Sequence, residues 1–155
     1  MELTTRDRWV RRSSTKVPLT SAGMAASSTD PRTWSSYTET SASTAGVGLG
    51  FVLNGDGIVC LDLDHAIRPD GSLTPWAADI VRKAGPTYTE VSPSGKGLHL
   101  FGFADVRQGR RIRRSGGYAV EIYGTGRFLT VTGDRFRGAP STLADLTSLI
   151  TELMQ

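Results

Sequence analysis

Two acidic residues stand one residue apart at the end of an apolar stretch, Asp62 and Asp64 in Ile58–Asp64. If this stretch is a strand, alternation places both carboxylates on one face and Leu61 and Leu63 on the other. Neighbouring carboxylates repel each other unless a cation or a proton neutralises them, and Mg²⁺ prefers oxygen ligands of this kind. The pair therefore indicates a divalent metal site, or else a strand end whose two acids are solvated.

A second candidate is the polar, glycine-rich segment Ser92–His99, which reads Ser-Pro-Ser-Gly-Lys-Gly-Leu-His. Small residues let backbone N–H groups approach an anion, and Ser94, Lys96 and His99 can add side-chain donors. The segment is not a Walker A loop, because glycine follows Lys96 where serine or threonine is required. It predicts a phosphate-binding turn, or an ordinary hairpin in which His99 is a structural residue of the sheet.

Glu121 and Arg127 flank a short glycine-containing turn between two further apolar stretches. In the first stretch, alternation places Glu121 on one face with Ala119 and Tyr123. The glutamate and the arginine could form a surface ion pair, which contributes only ~0–1 kcal/mol. They could also supply a third metal ligand and a phosphate clamp.

Positive charge is concentrated in one part of the chain. The formal net charge is +3, but residues 107–137 hold eight arginines and only two acidic residues. Such a local excess is typical of a surface that binds a polyanion, either nucleic acid or nucleotide phosphates. The alternative is an arginine-rich face that is merely solvated.

The composition excludes several other classes of protein. A chain of 155 residues corresponds to one domain with a substantial core, and it holds one cysteine and two histidines. A single cysteine excludes an intramolecular disulfide framework and a cysteine-rich zinc site. No apolar run approaches the ~20 residues of a membrane helix, and the first residues have no signal-peptide core. We therefore expect a protein of a reducing cytoplasm.

The elements that would position these residues are seven strands and three helices. Asp30-Pro31 and Thr74-Pro75 are typical helix starts, and Asn54-Gly55-Asp56-Gly57 predicts a hairpin turn. Helices are predicted over 31–40, 75–84 and 142–153. Strands are predicted over 9–10, 47–53, 58–64, 87–92, 98–103, 118–123 and 128–132, with hairpins joining 47–53 to 58–64 and 118–123 to 128–132. These elements predict an α/β fold with a largely antiparallel sheet.

Taken together, the candidate motifs resemble those of the archaeo-eukaryotic primase superfamily. The chain has Asp-x-Asp, then Ser-Gly-Lys-Gly-x-His, then an apolar residue before Glu-Ile-Tyr, and finally Arg-Phe-Leu-Thr-Val-Thr-Gly. The likeness is greatest to the primase-polymerase (prim-pol) domains at the N-terminus of phage and plasmid replication proteins. It covers most of the chain and includes the segments 26–34, 48–53 and 73–77.

The resemblance implies roles for individual residues. In the family, two divalent ions, Mg²⁺ or Mn²⁺, are held by carboxylates that match Asp62, Asp64 and Glu121. The phosphates of the incoming nucleotide are contacted by side chains that match Ser94, Lys96, His99 and Arg127. The implied fold is a small N-terminal α/β part joined to a sheet resembling an RNA-recognition motif, with the active site across the sheet face. No structural zinc is expected.

The activity that the resemblance implies is template-dependent nucleotidyl transfer, by a DNA primase and polymerase that makes or extends primers in phage or plasmid replication. Its partners would be a single-stranded DNA template, nucleoside triphosphates, and a helicase domain or protein of the same replication system, with no membrane. We expect residues 1–155 to be one catalytic domain, the N-terminal part of a larger replication protein, in the cytoplasm of a bacterial cell. Two other classes stay open: a non-catalytic module that binds single-stranded nucleic acid, and a metal-dependent nuclease.

The segment between the second and third motifs holds five arginines: Arg107, Arg110, Arg111, Arg113 and Arg114. Glycines within and after this segment predict a flexible basic loop. Because the flanking strands should carry His99 and Glu121, the loop is expected to lie beside the site and to hold the template backbone through charge. The alternative is a loop that only aids solubility.

Overall fold

Ten strands and three short helices make up the computed structural model, which describes residues 1–155. The helices are α1 (Tyr37–Ala42), α2 (Pro75–Ala84) and α3 (Thr147–Leu153). The strands are β1 (Trp9–Arg12), β2 (Pro18–Leu19), β3 (Gly48–Asn54), β4 (Ile58–Leu63), β5 (Thr89–Val91), β6 (Leu98–Phe103), β7 (Arg110–Arg114), β8 (Tyr118–Tyr123), β9 (Thr125–Val131) and β10 (Ala144–Asp145). No helix is both long enough and apolar enough to cross a membrane.

The strands form two sheets. The smaller sheet has the order β2-β1-β3-β9, and the larger sheet has the order β10-β6-β4-β8-β7, with β5 also paired to β6. Every pair of strands is antiparallel except β10 with β6. The prediction of a mixed α/β fold with largely antiparallel pairing is confirmed.

The larger sheet has an apolar core on each face. Leu61 and Leu63 of β4 belong to a cluster with α2 and α3, whereas Ile58 and Cys60 belong to a second cluster with residues of the smaller sheet. Each large apolar side chain that is fully buried contributes ~1.5–3 kcal/mol. Because successive residues of a strand alternate between faces, Asp62 lies on the Cys60 face, which is the face covered by the smaller sheet.

Helices α2 and α3 pack on the other face for reasons visible in the sequence. In α2, Ala77, Ile80 and Ala84 form the buried stripe, and Gly85 ends the helix with a φ of 67°. The predicted helix over 142–153 begins only at Thr147, because Ala144–Asp145 first pairs with the end of β6. The next residue, Leu146, packs on Gly102, where an added Cβ would lie 2.4 Å from its side chain.

The prediction of one helix over 31–40 is wrong. Asp30 does accept a hydrogen bond from the backbone N–H of Arg32, but the 3₁₀ turn that follows ends at Thr33. The chain is then extended, and Ser35 pairs with Trp9 through two backbone hydrogen bonds. Ser36 caps a separate helix, α1, by accepting from the N–H of Glu39. Pairing with β1 outweighs the local helical preference of this segment.

Two predicted hairpins are also wrong in their pairing, although their four strands exist. The glycine-rich turn after β3 leads to β4 in the other sheet, and the turn after β8 leads to β9 in the other sheet. Gly55 and Gly57 adopt φ values of 84° and 105°, which allow the chain to change sheets instead of folding back. The two crossings lie side by side, since the N–H of Gly55 donates to the carbonyl of Gly124 at 2.9 Å.

The prediction of a flexible loop over 107–114 is wrong for most of that segment. Residues 110–114 form β7, an edge strand that pairs with β8 along its whole length. Gly116 and Gly117 both adopt positive φ values, 77° and 78°, which suit a tight hairpin turn between the two strands. The glycines that predicted flexibility therefore close a hairpin.

Candidate active site

Five polar side chains lie in one row across the larger sheet, one from each of five adjacent strands. The pairing places Glu90 opposite His99, His99 opposite Asp62, Asp62 opposite Glu121, and Glu121 opposite Arg111. Directly opposite residues of antiparallel strands share a face, and their Cα atoms are about 4.5–5.5 Å apart. The three motifs of the sequence therefore meet in a single row, although they are far apart in the chain.

Asp62 stands in the middle of this row with 19% of its side chain exposed, and its Oδ1 lies 3.8 Å from Nε2 of His99. Burial raises the pKa of Asp62 above its ordinary value; His99 opposes the rise, while Asp64 and Glu121 add to it. The negative charge at this point of the sheet is thus incompletely compensated. Such a position favours a bound cation.

Glu121 is compensated by its neighbours. It accepts a hydrogen bond from the Tyr123 hydroxyl at 2.7 Å and one from Arg113 at 3.0 Å, and Arg111 lies 3.3 Å away. Burial alone raises the pKa of Glu121, but these partners outweigh it and hold the pKa below its ordinary value. Arg113 also lies 3.8 Å from Asp64, so one guanidinium spans two of the three carboxylates.

The donor set suits a hard divalent cation, since Asp62, Asp64 and Glu121 offer only carboxylate oxygens. No three His, Cys, Asp or Glu side chains surround a common point at which an ion could bind as they stand. Glu121 is turned to Arg113 and Tyr123 instead. An ion shared by the three carboxylates therefore requires Glu121 to exchange its arginine for the ion.

The row borders a cleft of about 410 Å³ between the two sheets. Arg127 reaches the cleft from β9 of the smaller sheet, and its guanidinium stacks 3.8 Å above the centre of the Tyr123 ring. The crossing from β8 to β9 is what brings this arginine beside Glu121. The charged and polar residues that line the cleft include Lys16, Ser28, Asp62, His99, Glu121 and Arg127.

The other predicted phosphate contacts lie beside the cleft. Pro93 lines it, whereas Ser94 and Lys96 lie in the exposed turn that follows and are not among the lining residues. The Ser94 hydroxyl accepts from the N–H of Lys96 at 3.2 Å, which shapes the turn. Of the second motif, His99 is the side chain that the structure brings into the row.

Sequence reasoning missed Lys16 and Ser28 as residues of the cleft. Lys16 lies between β1 and β2 with a φ of 63°, a left-handed conformation that is uncommon away from glycine, and its charge lowers the pKa of Asp62. Ser28 donates to the carbonyl of Gly126 at 3.2 Å, beside Arg127. Both residues belong to the smaller sheet or its loops. Ser28 lies within segment 26–34 of the family resemblance, which could have indicated it, whereas the sequence around Lys16 carries no signal that links it to the three motifs.

The five predicted template arginines do not share one surface, because four of them lie in β7 and point to alternating faces of the sheet. Arg111 and Arg113 contact Glu121, on the face of the row. Arg110 and Arg114 alternate to the opposite face, where they donate to backbone carbonyls at the end of α3, at 3.5 Å and 3.3 Å. Arg107 precedes the strand and pairs with a neighbouring aspartate.

Comparison with known proteins agrees with this geometry. A family model described as "Bifunctional DNA primase/polymerase, N-terminal" (Prim-Pol) matches residues 6–153. The chain belongs to the Prim-Pol family. The family predicted from the three motifs is therefore confirmed.

One relative of this Prim-Pol chain is a DNA primase-polymerase of Nitratiruptor phage NrS-1. The two sequences are 36% identical over 138 residues, which cover 84% of this chain and 19% of the relative. The chain thus spans about a fifth of the length of that phage protein.

Proposed function

We propose that this Prim-Pol chain catalyses template-directed nucleotidyl transfer and so makes or extends DNA primers. The observation that carries the proposal is the row of His99, Asp62 and Glu121 on three adjacent strands, facing a cleft that Arg127 enters from the other sheet. Family membership and the phage DNA primase-polymerase support the same activity. The phosphate contacts predicted for Ser94 and Lys96 would have no evident use in a nuclease.

The cationic side chains at the cleft would hold the triphosphate. Arg127 presents a planar guanidinium that can bind two phosphate oxygens at once, and stacking on Tyr123 limits its rotation. His99 and Lys16 border the same cleft. Ser94 and Lys96 would extend this surface from the adjacent turn. Together these groups offer positive charge and hydrogen-bond donors to a triphosphate that enters the cleft beside the carboxylates.

The three carboxylates Asp62, Asp64 and Glu121 would hold divalent ions, Mg²⁺ or Mn²⁺. Bound there, the ions would activate the primer 3′-hydroxyl and offset charge on the leaving pyrophosphate. The residues of the sheet would contribute positioning and charge, and little other chemistry is needed for an in-line displacement at phosphorus.

The template would run along the edge of the larger sheet. Arg111 and Arg113 of β7 lie next to Glu121, and half or more of each side chain is exposed, at 68% and 50%. Guanidinium groups in this position can bind a phosphate backbone without reading its sequence. A helicase that acts with this chain stays a prediction from the family resemblance.

The proposal is tested with single-stranded template, labelled nucleotides and Mn²⁺, with and without a primer. Template-directed incorporation is the expected result, and the primer-free arm shows whether the chain starts strands or only extends them. Cleavage of the template without added nucleotides would instead identify a nuclease. Retention of the strand with neither reaction would identify a binding module.

A further inference from the structure

Glu90, at one end of the row, has no exposed surface, and it is the one buried acidic side chain of the chain. Its Oε1 accepts hydrogen bonds from the Tyr88 hydroxyl at 2.7 Å and from the N–H of Gly133 at 3.3 Å. Its Oε2 accepts from the N–H of Thr132 at 2.7 Å and lies 3.4 Å from Nδ1 of His99. Burying a charge is costly unless it is fully hydrogen-bonded, as it is here.

The partners of Glu90 keep it ionised. Burial raises its pKa, but hydrogen bonds from His99, Thr132 and Tyr88 outweigh that effect and hold the pKa below the ordinary value. An apolar side chain would fill this place without the cost of desolvating a charge. A charged side chain at this position thus suggests a role beyond filling space, and its hydrogen-bond partners indicate that role.

One partner is the imidazole of His99, whose side chain is only 5% exposed. A hydrogen bond from one ring nitrogen fixes the orientation of the whole ring and decides which way the other nitrogen points. With Nδ1 on Glu90, Nε2 lies on the side of Asp62, and both His99 and Asp62 line the cleft. A ring turned over would present carbon to the cleft instead.

The other partners belong to a different part of the fold. Thr132 and Gly133 directly follow β9, the strand of the smaller sheet that carries Arg127. The Thr132 hydroxyl contacts Glu90 as well, at 3.0 Å from Oε2. One carboxylate group therefore joins the His99 strand of the larger sheet to the Arg127 strand of the smaller one.

We propose that Glu90 is a positioning residue that holds the His99 ring with Nε2 towards the cleft. The proposal rests on the proposed function only for its effect on nucleotide binding. The link between Glu90 and His99 can be tested without any nucleotide.

The first test is NMR of protein labelled with ¹⁵N-histidine. The chain has two histidines, and the exposed His65 serves as the internal reference. We expect a slowly exchanging Nδ1 proton on His99 in the wild-type protein and in Glu90→Gln, whose side-chain oxygen still accepts. This proton signal should disappear in Glu90→Leu. An Nδ1 proton absent from the wild-type protein, or unchanged in folded Glu90→Leu, would overturn the proposal.

The second test measures the affinity for nucleoside triphosphate in the presence of Mn²⁺. Partners behind metal-ligating histidines typically change affinity or activity by 10–100-fold, and by analogy we expect Glu90→Leu to weaken nucleotide binding about tenfold. Glu90→Gln should weaken it about two- to threefold, because it keeps the acceptor but loses the charge. Tyr88→Phe is the matched control: it removes one hydrogen bond to Glu90 and leaves the bond to His99.

The third test combines Glu90→Gln with His99→Ala. If Glu90 acts through the ring, Glu90→Gln should weaken nucleotide binding no further in a His99→Ala background. Additive losses, or an equal loss in Tyr88→Phe, would mean that Glu90 only stabilises the fold. If Glu90→Leu does not fold, the nucleotide affinities of Glu90→Gln and Tyr88→Phe are compared instead, and a larger loss in Glu90→Gln supports the proposal. A wild-type chain that binds no nucleotide would contradict the proposed function and leave the NMR test intact.

Discussion

A partly buried carboxylate beside two others, Asp62, lowers the stability of the fold when it is charged. Burial and the neighbouring Asp64 and Glu121 raise the pKa of Asp62, although His99 opposes them. A group whose pKa is raised in the folded protein stabilises that state below its unfolded pKa, and this stabilisation is lost as the pH rises through the folded pKa. At neutral pH and without divalent ions, the Asp62 charge therefore costs stability.

We predict that Asp62→Asn is more stable than the wild-type protein at pH 7 in the presence of a chelator. For a chain of this size, each kcal/mol of relieved repulsion raises Tm by about 2–4 °C. The difference in Tm should shrink as the pH falls into the range where Asp62 becomes protonated. Thermal unfolding from acid to neutral pH measures it, with the exposed Asp70→Asn as control; a lower Tm for Asp62→Asn at pH 7 would contradict the prediction.

We predict that Arg113 competes with a divalent ion for Glu121 and Asp64. It lies 3.0 Å from Glu121 and 3.8 Å from Asp64. Arg113→Ala should therefore bind Mn²⁺ more tightly, by about fivefold, which corresponds to the ~1 kcal/mol upper range of an exposed ion pair. Calorimetric titration with Mn²⁺ measures the change, and Arg107→Ala is the control because that arginine pairs only outside the row. Equal or weaker affinity in Arg113→Ala would show that no competition occurs.

At the scale of elements, β7 separates arginines that the sequence presents as one group. Arg110 and Arg114 meet carbonyls at the end of α3, where a cation interacts favourably with the helix dipole, contributing ~0.3–1 kcal/mol each. Arg111 and Arg113 lie on the side of the row. Alternation along the strand explains why the two pairs of arginines lie on opposite faces, whereas a flexible loop would not assign them to separate faces.

Two double variants test this division. Replacing Arg111 and Arg113 with serine should weaken binding of single-stranded DNA and reduce the slope of log affinity against log salt by roughly 0.7 for each phosphate that the variant no longer binds. Replacing Arg110 and Arg114 with serine should lower Tm and change that slope much less. Salt titrations of DNA binding, with thermal unfolding of both proteins, give the comparison. Equal slopes in the two variants would place the template elsewhere.

Local signals in the sequence predicted the elements well and their partners poorly. Pro75 and Gly85 set the limits of α2, and alternation in Ile58–Leu63 predicted both the strand and the face on which Asp62 lies, whereas Asp64 follows the end of the strand. The glycine turns before β4 and after β8 look like hairpins because the same φ values allow a return or a crossing. The choice depends on pairing between distant strands, which no local pattern contains.

The same reason explains which site residues were found. Asp62, His99 and Glu121 each stand in a recognisable motif, and the register of three strands brings them together. Glu90 and Lys16 are recognisable only once β5 and the β1–β2 turn are placed around the row. Their roles depend on tertiary packing, and their local sequence is unremarkable.

At the scale of the whole molecule, the cleft exists because two sheets share a core. Leu53 of β3 is fully buried in that core and stands opposite Arg127 in the smaller sheet. Leu149 of α3 is buried on the far face of the larger sheet. Substituting each leucine in turn therefore distinguishes a general loss of stability from a change in how one sheet is placed on the other.

We predict that Leu53→Ala and Leu149→Ala lose similar stability, about 2–5 kcal/mol each, with different effects on nucleotide binding. Leu53→Ala should weaken nucleotide affinity because it loosens the sheet that positions Arg127. Leu149→Ala should leave that affinity near the wild-type value at temperatures where both variants are folded. Denaturant unfolding and equilibrium nucleotide binding measure the two quantities; equal affinities would mean that the shared core does not set the cleft.

The most direct test of the proposed function compares template-directed incorporation by the wild-type chain with Asp62→Asn and Asp70→Asn. Both variants replace one carboxylate with an amide, but only Asp62 lies in the row between His99 and Glu121. We predict incorporation by the wild type and by Asp70→Asn, and loss of incorporation in a folded Asp62→Asn. Wild-type incorporation by Asp62→Asn would contradict the assignment of the active site to this row.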